Sequence, residues 1–238
     1  MNKNDFLRSL PALDNNLIWL YGRANLPLIV VDLPDFAPLR DFVQQHNLKI
    51  EALLITHKHQ DHWAGVAQFK AYFPNVPIFG PAECADKGLT QVIGAGQFAT
   101  EHYQIEAIET AGHTEQHLCY FIDGVLFSGD TLFVAGCGRV FTGDYGAMFD
   151  SLQRLKQLPL ETQICVGHDY TLSNLAFAET VLADKRAGQN EKVFYQQQRA
   201  ANLPFAPSSL ARELEINPFL QAADLDQFIQ LRQAKDNF

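Results

Sequence analysis

The chain has no C-x-x-C pair, no run of basic residues, and no apolar stretch near the roughly 18 residues that a membrane span requires. Each absence excludes a class. Four cysteines, at 84, 119, 137 and 165, lack the spacing of a cysteine-held zinc site. Cys119 and Cys165 fall inside strand-like apolar runs, where a free thiol behaves as a small buried hydrophobe, which fits a reducing compartment. A net charge of −9 with no basic–aromatic stripe excludes nucleic acid as a general partner. Met1 to Asp5 carry neither the basic nor the apolar region of a signal peptide, so a cytoplasmic location and no membrane partner are expected. No internal repeat and no Ser/Gly linker divides the 238 residues, 47% of them hydrophobic. That is enough for a full core, in one large domain or one with a small appendage.

What is present is concentrated in one place. Thr56-His57-Lys58-His59-Gln60-Asp61-His62 sets three histidines and an aspartate into six residues, directly after the apolar run Ala52 to Ile55. On extended chain, side chains two apart point the same way, so His57 and His59 can grip one ion. Asp61 and His62 are adjacent and diverge, which suits them to a second. Imidazoles with a carboxylate favour zinc, iron or manganese over calcium or magnesium.

Three other strand-like runs end in a polar residue beside a glycine: His113 after Gly112, Asp130 after Gly129 and His168 after Gly167. Glycine lets the backbone turn sharply and approach a site closely. Four such loops on one sheet edge can converge on one pocket. The order H-x-H-x-D-H, His, Asp, His resembles the metal signature of the metallo-β-lactamase superfamily at every position. That resemblance implies two divalent ions. His57, His59 and His113 would hold the first, Asp61, His62 and His168 the second, and Asp130 would bridge them. It also implies that Asp32, which ends the run Leu28 to Val31, orients the ligands. His46 and His102 read as surface residues, and His117 as a residue supporting the site or packing in a strand.

Strands are expected at Leu17 to Tyr21, Leu28 to Val31 and Ala52 to Ile55, and helices at His62 to Phe73 and Ala147 to Leu158, each stopped by a proline. Sheets with helices outside them suit two sheets packed face to face between helical layers. This α+β reading agrees with the superfamily's αββα sandwich. After Tyr170 strand-like runs nearly vanish, and helices are expected at Leu172 to Leu182, Glu191 to Ala201 and Leu225 to Ala234. The chain therefore divides into a metal-binding catalytic domain, 1–169, and a small helical substrate-binding domain, 170–238.

Gly129 to Arg139, Gly167 to Leu175 and Asn217-Pro218-Phe219 are similar, more narrowly, to the glyoxalase II (hydroxyacylglutathione hydrolase) branch. This implies hydrolysis of S-(2-hydroxyacyl)glutathione, chiefly S-D-lactoylglutathione, in the second step of methylglyoxal detoxification. A hydroxide bridging two metals, most simply zinc, with iron or manganese as alternatives, would attack the thioester carbonyl, with Asp61 and Asp130 at the reacting centre. Arg139, Tyr170, Asn174, Arg232 and Lys235 occupy the positions that would bind glutathione, whose two carboxylates suit arginine. A thiolate leaves without a proton, which matches the lack of a dedicated general acid. The chain would act as a monomer.

Several positions depart from the branch's pattern: Phe141 where some relatives have tyrosine, Lys58 and Gln60 between the ligands, Leu33-Pro34, and Thr142-Gly143-Asp144-Tyr145. Rival readings are a lactonase, β-lactamase or phosphodiesterase on the same scaffold, or a non-catalytic metal-binding sensor. A flavin-coupled di-iron redox protein would need a module for which the chain has no room.

Overall fold

The computed structural model describes residues 6–238. Met1 to Asp5, on which the expectation of no signal peptide rests, lie outside the described residues. The first sheet runs in the order β1 (Phe6–Ala12), β2 (Asn16–Gly22), β3 (Leu28–Val31), β4 (Ile50–Leu54), β5 (Ile78–Gly80) and β6 (Gln91–Val92). It is antiparallel as far as β3 and parallel from β3 onward. The second sheet is built from β7 (Gly96–Ala99), β8 (Gln104–Glu109), β9 (Leu118–Ile122) and β10 (Val125–Gly129). After a small ribbon of β11 (Leu132–Phe133) and β12 (Gly136–Cys137), β13 (Gln163–Val166) and β14 (Ser208–Ser209) complete it on the far side of β10.

Why two layers form is written in β2. All seven of its residues are buried, because both faces are covered. Leu17, Trp19 and Tyr21 face the second sheet, while Ile18 and Leu20 join a separate core beneath helices α1 (Phe36–His46) and α2 (Val66–Tyr72). Helix α3 (Tyr145–Leu155), capped by the Asp144 carboxylate on Ala147 N, buries Met148, Leu152 and Leu155 against the second sheet. The αββα order follows. On β8, by contrast, Gln104, Glu106 and Glu109 alternate outward with buried Ile105 and Ala107.

The C-terminal region carries α4 (Thr171–Val181), α5 (Arg186–Ala200), α6 (Leu210–Ile216), α7 (Pro218–Gln221) and α8 (Leu225–Asp236). It is not purely helical, since β14 pairs with β13 at the edge of the second sheet. Glu213 pins it to the ribbon: fully buried, it accepts from Ala135 N (2.8 Å), Ser208 Oγ (2.5 Å) and Asn217 Nδ2 (3.2 Å). Asn217 Oδ1 caps Phe219 N at 3.1 Å while its Nδ2 reaches Gly136 O at 2.9 Å, which gives Asn217-Pro218-Phe219 its structural meaning.

The helix expected from His62 starts later. Residues Gln60–His62 tighten into a 3₁₀ turn and Gly65 N donates to Leu33 O, so regular helix begins at Val66. Strand β1 and helix α1 were not expected. The first is an edge strand that tolerates Pro11, and the second begins behind an Asp35 cap two residues after Leu33.

Candidate metal centre

The strands β3, β4, β8, β10 and β13 deliver their carboxyl ends to one rim, and the loops leaving them carry the candidate ligands. Asp32, just past β3, adopts φ +56°. Its Oδ1 accepts from Thr56 N (2.8 Å), and its Oδ2 from Thr56 Oγ1 (2.9 Å) and His62 Nδ1 (2.7 Å). One carboxylate thus fixes the entry to the H-x-H-x-D-H loop and one of its rings. Because the Thr56 hydroxyl donates to Asp32, its oxygen is left to accept from His57 Nδ1, 2.9 Å away.

The same logic assigns the other tautomers. His113 Nδ1 donates to Arg139 O at 2.8 Å, and His168 Nδ1 donates to Asn15 Oδ1 at 2.7 Å. In neutral rings, the Nε2 atoms of His57, His62, His113 and His168 then carry lone pairs and no hydrogen. Those atoms converge. His62 Nε2 lies 3.1 Å from His168 Nε2, while His57 Nε2 and His113 Nε2 stand 3.0 and 2.9 Å from His59 Nδ1. Asp130 Oδ1 is buried without a hydrogen bond, although Nε2 of His62 is 3.3 Å away. Its Oδ2 is 3.4 Å from Nε2 of both His113 and His168. Lone pairs facing lone pairs and an orphaned carboxylate oxygen are what a cation resolves. The donor set therefore fits divalent metal.

Electrostatics agree. Burial opposes charge on His62, yet Asp130 and Asp32 push its pKa up to about 9. Burial also opposes ionisation of Asp130, but His62 and His168 hold its carboxyl far below the usual range. Burial drives His57 well below the ordinary histidine value. The pocket demands positive charge at its centre. Potential ligand atoms gather as His57, His59 and His113; as Asp61, His62 and His168; and as His57, His62 and Asp130, each set within 4.8 Å. The first two sets coincide with the two expected groups.

His117 is fully buried and its Nε2 accepts Asp130 N at 3.1 Å, so it supports the site from behind. Gly129, at φ +47°, must be glycine: a Cβ there would stand 2.6 Å from His117 Nε2. His46 is exposed at the end of α1, and His102 is tied to Glu51.

A cavity of about 690 Å³ opens over the candidate ligands His59, Asp61, His113, Asp130 and His168, and Arg139, Tyr170, Asn174, Arg232 and Lys235 all line it. Their engagement differs from the expectation of free substrate-binding groups. Tyr170 stacks on His168 (4.9 Å, 8°), and burial pushes its hydroxyl up to about 12. Asn174 is buried with Nδ2 donating to Val134 O at 3.0 Å. Arg232 is buried, donating to Cys137 O (2.8 Å) and Asp236 Oδ1 (2.9 Å). Lys235 Nζ donates to Ser173 O (3.0 Å) and Oγ (2.9 Å). Arg139, whose side chain is 58% exposed, has Nε 3.3 Å from Asp236 Oδ1. Exposed Phe141 stands edge-on to His59 (5.5 Å) and near His113 (5.4 Å).

Sequence reasoning missed Asp236, which ties two of these cations, and Glu83, which accepts from Lys58 N, Thr114 Oγ1 and Gln116 N and so spans two ligand loops. It also missed Asn15 and Asn16, whose adjacency reads only as a turn. No local pattern marks any of them.

Residues 29–168 match the profile of the Metallo-beta-lactamase superfamily, and residues 169–238 that of the Hydroxyacylglutathione hydrolase C-terminus. A hydroxyacylglutathione hydrolase of Actinobacillus pleuropneumoniae is 46% identical over 96% of this chain and 97% of its own. One of Haemophilus ducreyi is 41% identical over 98% and 99%. Among solved structures, ETHE1 from Myxococcus xanthus shares the fold at a TM-score of 0.70 and 22% identity, covering 96% of this chain and 90% of its own. The B3 metallo-beta-lactamase BLEG-1 does so at 0.68 and 18%, covering 91% and 99%.

Proposed function

The chain belongs to the hydroxyacylglutathione hydrolase family of the metallo-beta-lactamase superfamily, and from that premise we propose that it hydrolyses S-(2-hydroxyacyl)glutathione thioesters, chiefly S-D-lactoylglutathione. The products are a 2-hydroxy acid and glutathione. One observation carries the reading: a histidine–aspartate cluster that fits two divalent ions opens into the same cavity as a wall bearing Arg139, Arg232 and Lys235. A neutral lactone would need no such wall, whereas glutathione brings two carboxylates.

Two divalent ions, when bound, supply Lewis acidity towards the acyl carbonyl and acidify water near neutral pH. The protein's own part is positional. His57, His59 and His113 would hold one ion and Asp61, His62 and His168 the other, with Asp130 reaching both. Asp61 and Asp130 are the carboxylates we assign to orienting the attacking water. Asp32 keeps His62 and Thr56 in place. Arg139 and Lys235 sit where they can meet the glutathione carboxylates, with Tyr170 and Asn174 along the same wall and Arg232 behind Lys235. The leaving thiolate takes no proton from the protein. Zinc is the ion we favour, ahead of iron or manganese. We assign the metal chemistry to residues 1–169, substrate binding to 170–238 together with Arg139 of the first region, and the activity to a single chain in the cytoplasm. Among the described residues no helix is long and apolar enough to cross a membrane.

The test is steady-state hydrolysis of S-D-lactoylglutathione by protein of known metal content, beside an S-lactoyl thioester lacking the peptide. Turnover that needs the peptide is the expected result. Equal turnover of both would remove the glutathione assignment, and none with two ions bound would remove the thioesterase.

A further inference from the structure

The tip of the first hairpin lies against the metal centre. β1 and β2 pair as far as Ala12–Asn16, and Leu13 takes φ +49° at the corner. The strand then docks onto the His168 loop of the other sheet: Leu17 N donates to Gly167 O (2.9 Å) and Asp169 N to Asn15 O (2.8 Å). Asn16 and His168 form an isolated bridge. The hairpin tip is thereby held by backbone from both sides, and its two asparagine side chains face the second ligand group.

We propose that Asn15 and Asn16 are positioning residues for the second metal, and that they set its affinity apart from that of the first. Asn15 Oδ1 accepts from His168 Nδ1 at 2.7 Å. Asn16 Nδ2 donates to Asp61 O at 2.8 Å and Asp61 Oδ2 at 3.1 Å. Two of the three ligands in that group are thus oriented from one turn. The third, His62, is oriented by Asp32. No bond from the turn reaches His57, His59 or His113; the outer contacts of His57 and His113 run to Thr56 Oγ1 and Arg139 O.

The chemistry of the pair matters as much as its position. His62 has a carboxylate behind it, which raises the basicity of the coordinating nitrogen, but His168 has only a neutral amide oxygen. The amide N–H groups of Asn16 draw electron density from Asp61, making that carboxylate a weaker donor. Both asparagines fix geometry without adding negative charge. The turn thus acts on the second ion alone, through the placement of Asp61 and His168.

The inference rests on the two-metal reading and not on the thioester substrate. It is tested by titrating metal-free protein with Zn²⁺ or Co²⁺ and following each binding step, with Co²⁺ absorption and the apoprotein Tm as companion readouts. Wild type should take up two ions in resolved steps; a single ion would overturn the two-metal reading and this proposal together. Asn16→Ala should weaken the second step about 10- to 100-fold and leave the first step unchanged. Asn15→Asp, which puts a carboxylate behind His168 with no change in shape, should tighten the second step alone. Equal shifts in both steps, or a second step unmoved in Asn15→Asp, would mean that the turn is merely structural and would overturn the assignment.

Discussion

On the candidate ligand side of the cavity, four imidazoles have their outer nitrogens fixed while their inner ones crowd together, only that of His168 having an amide donor, Asn16 Nδ2, at 3.5 Å. On the facing wall, Arg139, Arg232 and Lys235 are already bonded to Asp236, Cys137 O and Ser173. The first half is incomplete without an ion. The second is largely bonded internally, although Arg232 Nε is buried without a partner, so most carboxylates it binds must compete with an internal partner and the net gain per contact is modest. Loss of a ligand should therefore remove activity outright, whereas loss of a wall residue should mainly change KM.

The largest effect belongs to Asp130, which approaches both groups. Asp130→Ala should lower kcat by about a thousandfold or more, since Lewis acidity is worth several kcal/mol. Metal analysis should show that uptake falls with it. Full activity with an empty or singly occupied centre would break the comparison on its ligand side.

The wall depends on Glu213, which holds the helical region to the β11–β12 ribbon. Burial pushes its carboxyl up from 4.5 to about 7 against the opposing bonds from Ser208, Ala135 and Asn217. The folded state then binds the extra proton, so this contribution is full below pH 4.5 and is lost as pH rises through 7. The loss is about 3 kcal/mol. Urea unfolding of wild type against Glu213→Gln should show the wild type losing ground across that window. Parallel stability curves would show that the carboxyl is not held protonated.

Arg139→Ala comes next. Its side chain is largely exposed, so solvent screens the lost contact, and KM should rise about three- to tenfold with kcat and metal content kept. An unchanged KM would remove Arg139 from the wall. The smallest effect is expected at Phe141, whose ring meets those of His59 and His113 edge to face. Phe141→Tyr adds one exposed hydroxyl and should lower KM about two- to threefold, the worth of a single neutral hydrogen bond. A rise in KM would mark the bare ring as the preferred surface.

Much of the ligand side was readable in advance. His57, His59, Asp61 and His62 are close in sequence, and Gly112, Gly129 and Gly167 mark where strands turn towards the rim. The two-layer fold followed from continuous apolar runs such as Leu17 to Tyr21. Helix α1 and strand β1 were missed because α1 buries only Phe36, Leu39 and Val43 among polar residues soon after Pro34, and a strand holding Pro11 resembles loop. The wall was readable only as a set of positions. That Arg232 is buried with its guanidinium on Cys137 O, or that Asp236 holds two cations, depends on α8 folding back across β12.

The sequence by itself determined which atoms could take a metal, because ligand chemistry and strand periodicity act over a few residues. It also determined that strands buried on both faces would stack into two sheets. Only the tertiary structure decided which ring nitrogens point inward. Each tautomer is set by a partner distant in the chain: Asp32 for His62, Arg139 O for His113 and Asn15 for His168. A hydrogen bond needs two groups within about 3 Å, and for residues 26 to 153 positions apart only the packed fold brings them there.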